Sequence, residues 1–385
     1  MRNLTQCREQ IDAVDQQILQ LLKERNEIAR DIAQCKLESD QAVTDAEREE
    51  QKLSGLGRQA LKEGLSASYV RDVFKTIISH TVAYEKRYIV DKINEGGHRR
   101  SSSIAFLGTV GTYSHLAARR FLEHYGDNVT EHGCDNFEEV TASVECGRSA
   151  FGVLPVENSS SGSINEVLDV LQEAKVHLVG EVLFPIDHSI LAIGQLNLDE
   201  ITDVYSHPQP VTQCSRWLKD FLPKVNIHYT KSSSDALSTV RDLHKKGHVC
   251  IASHHAADYY GLTPLADDIA NNVHNYTRFV AIAKEPIVVP NGVEAKTSLS
   301  FSVEKYTPGS LIGVLTEFQR QGINLDKLIS RPRLDHGSYT WEEIFFVDVQ
   351  ANVASPKMQE ILERIGPRTS QLKILGCYPS TVQRS

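Results

Sequence analysis

The chain has 385 residues, 41% of them hydrophobic and 24% charged, the composition of a globular protein long enough for two or three domains. Its formal net charge of -9 argues against nucleic acid as the main partner, and no run of about eighteen apolar residues is present to span a membrane. Seven cysteines stand singly, without the close pairs of a zinc or redox motif, and the first residues are charged and amphipathic, unlike a secretory signal. A cytoplasmic protein with reduced thiols is expected.

Residues 4–36 carry Ile11, Val14, Ile18, Leu21, Leu22, Ile28 and Ile32 at helical spacing with no Gly or Pro among them, which predicts one long helix. Further helices are predicted from Asp45 to about Lys62 and from Ser66 to about Ile89. So short a helical segment cannot bury all of its apolar faces alone, and dimerisation is expected. Arg25 and Lys36 return to within about 20° of one helix face, with Ile28 and Ile32 between them. Asp45 with Glu49, and Thr81 with Glu85, stand at i and i+4, each pair on one side of its helix. Arg8 lies roughly 26 Å before Arg25 and on another face, so from a straight helix it can serve only a partner's pocket.

The pattern of Arg8, Arg25, Lys36, Asp45, Arg48, Glu49, Thr81 and Glu85 resembles the all-helical chorismate mutases. That resemblance implies an all-α three-helix domain over 1–92, forming an intertwined dimer. Arg25, and Arg8 from the other subunit, would hold the two carboxylates of chorismate, with Arg48 assisting. Lys36 would donate to the enol-ether oxygen, and Asp45 and Glu49 would fix the substrate hydroxyl. The rearrangement is pericyclic, so a protein supplies a compact conformer and complementary charge, not a nucleophile. Where the bacterial family usually has glutamine, this chain has Glu85; a carboxylate donates only when protonated, so mutase activity is expected to rise as pH falls below neutral.

Residues 91–103 are polar and Gly/Ser-rich and read as a linker. From Ile104 short apolar strands alternate with helices in two successive sets, which predicts α/β layers in two lobes with a cleft between them. Within them, Phe151–Val156 is a strand that breaks through Ser159, Ser160, Ser161, Gly162 and Ser163 into a helix carrying Ile164, Val167, Leu168 and Leu171. With a serine as cap, this is either an anion seat or an ordinary capped turn. Gly108–His115 is a second small-residue turn into a helix, with the same two readings.

The strings FLGTVGTYS, VENSSSG, YSHPQPVTQC and NYTRF, in that order, resemble prephenate dehydratase across residues 104–284. The resemblance implies prephenate binding by Glu157, Asn158, Ser159, Ser206, His207, Gln209, Gln213, Thr277, Arg278 and Phe279. His207 is equally well a structural cap. Loss of CO₂ and hydroxyl from prephenate requires a donor at the departing oxygen. Thr277 is the candidate, directly or through a water, while Arg278 would hold a carboxylate or polarise the site.

Residues 285–296 carry two prolines and a glycine and read as a second linker. The remaining elements follow a βαββαβ order, a ferredoxin-like α+β pattern over 297–377. It resembles the ACT regulatory domains that bind amino acids. Counterparts of the phenylalanine-binding strings are Gly309, Ser310, Leu311 and Ile312, and Ile329, Ser330, Arg331 and Pro332. Ile329 replaces the family's usual glutamate, so phenylalanine inhibition is expected to be blunted; the alternative is a module serving only as a dimer interface.

The resemblance therefore covers nearly the whole chain, as a bifunctional mutase, dehydratase and regulatory domain of phenylalanine biosynthesis. It implies a homodimer or higher homo-oligomer, chorismate and prephenate as substrates, phenylalanine as effector, and neither nucleic acid nor membrane as partner. No metal or organic cofactor is implied, since neither reaction needs an electron sink or Lewis acid. The rival is a non-catalytic two-lobed solute-binding protein with a helical oligomerisation arm, which would call for a signal peptide or a DNA-reading helix pair.

Overall fold

The computed structural model describes residues 3–39, 41–94, 103–123, 129–272, 274–303, 308–335 and 340–380. Helix α1 (Leu4–Ser39) runs uninterrupted. Helix α2 (Ala46–Lys62) begins where Asp45 accepts a hydrogen bond from Arg48 N, and α3 (Ala67–Ile93) begins where Ser66 accepts from Tyr69 N. In each, a short side-chain oxygen satisfies an orphan amide of the first turn. The residues of α1 buried within the chain are Ala29 and Ala33, whose small side chains admit α3. The apolar stripe of Ile11, Val14, Ile18, Leu21, Ile28 and Ile32 is instead 40% to 62% exposed. Of the first expected linker, residues 95–102 lie outside the described residues.

The first α/β lobe runs β1 (Ser103–Leu107), α4 (Tyr113–Leu122), β2 (Thr130–Cys134), α5 (Phe137–Glu145), β3 (Phe151–Asn158), β4 (Gly162–Ser163), α6 (Asn165–Glu173) and β5 (His177–Pro185). The second lobe holds β6 (Ser189–Ala192), β7 (Asp203–Ser206), α7 (Pro208–Gln213), α8 (Ser215–Phe221), β8 (Asn226–Tyr229), α9 (Ser233–Leu243), β9 (His248–Ala252), α10 (Ala257–Tyr260) and β10 (Thr263–Ala266). The chain then returns to the first lobe as β11 (Tyr276–Ala283).

Strand period decides which way each side chain looks. Phe151, Val153, Phe279 and Ala281 pack with α4, whereas Leu154, Val156, Val280 and Ile282 pack with α5 and α6. Phe106, Phe151 and Phe279 are at most 2% exposed, each worth about 1.5–3 kcal/mol over an exposed ring. β1 pairs in parallel with β3, and β11 runs antiparallel to both β3 and β5. The C-terminal ends of β1, β3 and β5 and the start of β11 therefore share one sheet edge. Both crossings to the second lobe, 186–188 and 267–275, leave from that edge, which makes it the floor of the interlobe cleft.

The C-terminal module is β12 (Ala295–Val303), α11 (Ser310–Arg320), β13 (Leu325–Asp335), β14 (Thr340–Val349), α12 (Pro356–Ile365) and β15 (Thr369–Pro379). Its strand order, β13-β14-β12-β15, is the ferredoxin-like one, and the sheet continues through β5, β11, β3 and β1 to β2. The junction is one parallel pair, Gly376 with Leu178. A Cβ at Gly376 would collide with the Leu178 backbone, so only glycine allows the two strands this approach. The second expected linker is no loose tether. Val289 and Val293 are buried with Ala33, Val43, Ile89 and Val90 of the helical module, and Asn94 exchanges two hydrogen bonds with the Val288 backbone.

Two candidate active sites

In the helical module, α1 and α3 bring four of the expected residues into two direct contacts. Lys36 Nζ lies 2.7 Å from Glu85 Oε2 and donates to the Val43 carbonyl at 2.7 Å. Arg25 Nε donates to Thr81 Oγ1 at 3.1 Å, and that hydroxyl in turn donates to the Ile77 carbonyl. Glu49 joins from α2: burial pushes its carboxyl up, against the opposing fields of Lys86 and Lys36. Glu85 is 4% exposed and Thr81 8% exposed, so the floor of the site is dry. Asp45 spends its carboxylate on the cap of α2, and Arg48 is exposed at the same turn. Arg8 is exposed near the far end of α1 and does not reach this cluster within the chain.

In the cleft, Asn158 is the hub. Its Oδ1 accepts from Ser160 N at 2.9 Å and Ser161 N at 3.0 Å, which fixes the amide's orientation, since only oxygen can accept. Its Nδ2 then donates to Thr277 Oγ1 at 2.9 Å and Asn275 Oδ1 at 2.8 Å. Held as an acceptor, the Thr277 hydroxyl keeps its own proton for another partner. Ser159 is laced to Tyr276 by two backbone-directed bonds, Ser159 N to the Tyr276 carbonyl and Tyr276 N to Ser159 Oγ.

His188, in the crossing between β5 and β6, is 1% exposed, with Nε2 2.7 Å from Gln213 Oε1 and Nδ1 3.2 Å from the Tyr113 hydroxyl. Burial holds this imidazole below its usual range, which favours its neutral form. Tyr113, whose phenol burial pushes up, gives its one proton to the Asp187 carbonyl. Across the lobes, Tyr260 donates to the Val110 carbonyl at 2.7 Å and Ser253 to Asp187 at 2.8 Å.

Several expected residues are placed elsewhere. No serine caps α6: its N-cap is Ile164, without a side-chain bond, because Gly162 and Ser163 fold back as β4 onto Asn158 and Glu157. The amides foreseen as an anion seat are thus partly spent on Asn158. Arg278 leaves the cleft, since the residue after Thr277 on a strand faces the other way; its guanidinium meets Glu181, Asp348 and Tyr378. Glu157 likewise pairs with Lys327, at 2.8 Å. Phe279 is core, packed with α4. His207 is the N-cap of α7, accepting from Gln209 N, while Ser206 is fully buried and donates to the His207 carbonyl. Gln209 is exposed.

In the C-terminal module, Gly309 is the left-handed N-cap of α11, ahead of Ser310 and Leu311, and Ile312 is 69% exposed. Ile329 packs on the core shared with the first lobe and Arg331 pairs with Asp169, whereas Ser330 and Pro332 face outward. His188, Tyr113 and Asn275 were not singled out from the sequence. The available signals were a histidine heading the apolar run HSILAI and an asparagine two residues before Thr277, just ahead of its strand.

A family model for chorismate mutase type II matches residues 7–86, and one for prephenate dehydratase matches 104–287. A bifunctional chorismate mutase/prephenate dehydratase of Enterobacter agglomerans is 38% identical over 377 residues, covering 98% of this chain and 96% of the relative. Among solved structures, one described as GqqA, a novel type of quorum quenching acylase, aligns with TM-score 0.64 and 28% identity over 72% of this chain and 98% of its own. Prephenate dehydratase from Arthrobacter aurescens, described in complex with L-Phe, has the same fold at TM-score 0.64 and 23% identity, over 72% of this chain and 90% of its own. With both family models in sequence and a match of that identity from end to end, the chain belongs to the bifunctional chorismate mutase/prephenate dehydratases, an isomerase and a carbon-oxygen lyase on one polypeptide.

Proposed function

We propose that the helical module rearranges chorismate to prephenate and that the interlobe cleft converts prephenate to phenylpyruvate, on the route to phenylalanine. The observation that carries this is the match over nearly the whole chain to an enzyme named for both activities. In the first step Arg25, oriented by Thr81, takes one carboxylate of the substrate, with Arg48 assisting, and Arg8 of the partner subunit takes the other. Lys36 donates to the ether oxygen as negative charge builds there, Glu85 beside it adds a second donor only when it carries a proton, and Asp45 and Glu49 receive the hydroxyl. The exposed stripe on α1 supports a homodimer.

In the second step the bond between ring and carboxylate breaks, CO₂ departs, and its electron pair enters the ring as the hydroxyl leaves. A proton or hydrogen bond at that oxygen turns hydroxide into a tolerable leaving group. The Thr277 hydroxyl, fixed by Asn158, is the donor, directly or through a water. The neighbour described with L-Phe supports phenylalanine as an effector of the C-terminal module, read as an ACT domain. Gly309, Ser310, Leu311 and Ile312 with Ile329, Ser330, Arg331 and Pro332 would form its site, and Ile329 would blunt the response. The test is to add chorismate, follow its absorbance loss, and then look for phenylpyruvate in alkali. The expected result is both signals; a binding protein gives neither.

A further inference from the structure

Behind Thr277, on the opposite face of the sheet, lies a buried polar network shared between the first lobe and the C-terminal module. Arg278 donates from Nε to Glu181 on β5 at 2.8 Å, from one terminal nitrogen to Asp348 on β14 at 2.6 Å, and from the other to the Tyr378 hydroxyl on β15 at 2.9 Å. Lys296, on β12, donates to both oxygens of Glu181 at 3.0 Å. Ser298 Oγ donates to Asp348 at 2.5 Å and lies 3.0 Å from the Tyr378 hydroxyl. A carboxylate can only accept, so Ser298 spends its proton on Asp348 and Tyr378 must donate to Ser298. The bonds close into a ring: Arg278 to Tyr378, Tyr378 to Ser298, Ser298 to Asp348, and Arg278 to Asp348.

Arg278's partners are nearly dry: Lys296 is 4% exposed, Ser298 3%, Glu181 7%, Asp348 9% and Tyr378 0%, while the Arg278 side chain itself is 15% exposed. Arg278 and Lys296 face Glu181 and Asp348, and Asp326 lies 3.9 Å from Lys296 at the edge of the network. A satisfied ring of this kind is stiff and specific in geometry. The strand it grips needs holding, because the register of β11 against β3 shifts between Arg278 and Phe279, one residue beyond Thr277. The neighbouring strand is held in the same way. Glu157, opposite Arg278 in the register and adjacent to the hub Asn158, pairs with Lys327 of β13.

We propose that Arg278 and Glu157 are positioning residues through which the C-terminal module aims the Thr277–Asn158 pair into the cleft, and not ligands of the substrate. Thr277 and Arg278 are consecutive on one strand, so a shift of the ring tilts the hydroxyl. The state of the C-terminal module then reaches the chemistry without touching prephenate. The inference rests on Thr277 as donor, so Thr277→Ala is measured in parallel: full turnover there defeats that reading alone.

The test uses the full-length enzyme, with prephenate supplied. Tyr378→Phe opens the ring at nearly constant volume. Lys327→Met and Lys327→Arg probe the second grip, at a side chain 16% exposed. Dehydratase kcat is expected to fall about tenfold in Tyr378→Phe and about threefold in Lys327→Met, with KM held within about twofold, mutase turnover unchanged and Lys327→Arg restored. A variant whose mutase turnover and thermal melt match the parent is folded, so its dehydratase constants are decisive. Unchanged kcat in both Tyr378→Phe and Lys327→Met, or a rise in KM as the main effect, overturns the proposal.

Discussion

The two sites are made of opposite materials. The helical one sets formal charges against each other, Lys36 on Glu85 with Glu49 nearby, and leaves an apolar stripe of the same helix uncovered. The cleft brings together amides, hydroxyls and a buried imidazole, with the Asp187 carboxylate beside them. The contrast follows from the chemistry each supports. Rearranging a dianion calls for cations around a compact conformer, whereas expelling hydroxide calls for one well-aimed proton donor.

The largest effect that sharpens this contrast is expected from Asn158→Asp. The replacement is isosteric and still accepts from Ser160 N and Ser161 N, but it cannot donate, so the Thr277 hydroxyl must turn its proton toward the new carboxylate. Dehydratase kcat should drop on the order of a hundredfold while mutase turnover is untouched. Steady-state kinetics with each substrate checks this, and full dehydratase activity in the Asn158→Asp variant would break the neutral-donor picture.

What the sequence made legible follows the same division. Charges on helices are placed by local spacing, so the shared face of Arg25 and Lys36 and that of Thr81 and Glu85 could be anticipated residue by residue, whereas Asp45 and Ser66 read as helix starts and prove to be caps. The stripe on α1 reads correctly as apolar, but Ala29 and Ala33 form the face that packs within the chain. The Asn158–Thr277 contact joins residues 119 positions apart, which no local pattern specifies. Only the resemblance named both. Arg278 enters the expected site by its place in a motif, although strand alternation already puts it on the far face. The serines after Asn158 read as a helix cap because small polar residues so often cap. Here one asparagine captures their amides first.

A smaller effect is expected from Glu85→Gln. Because Glu85 can donate to the ether oxygen only when protonated, wild-type mutase kcat/KM should climb by up to about tenfold from neutral to acid pH, and the variant should be flat. Glu49, whose carboxyl burial raises, titrates in the same direction, so Glu49→Gln serves as the control. A flat wild-type profile would remove proton donation from the charged site. Smallest is Ile329→Glu, expected to tighten phenylalanine about fivefold by supplying an acceptor for its amino group, partly offset by lost packing on the first lobe. Calorimetry showing tight binding by the parent chain that this change does not improve would contradict the blunted-effector expectation.

The division of labour between the two sites is tested most directly by giving Thr277→Ala chorismate alone and following both products. Chorismate should vanish at the parental rate while prephenate accumulates and phenylpyruvate formation falls by at least about a hundredfold, on the order of other lost donors at a leaving group. Phenylpyruvate appearing at the parental rate would contradict the assignment of the proton donor, and with it the distinction between a site worked by charges and one worked by a hydroxyl.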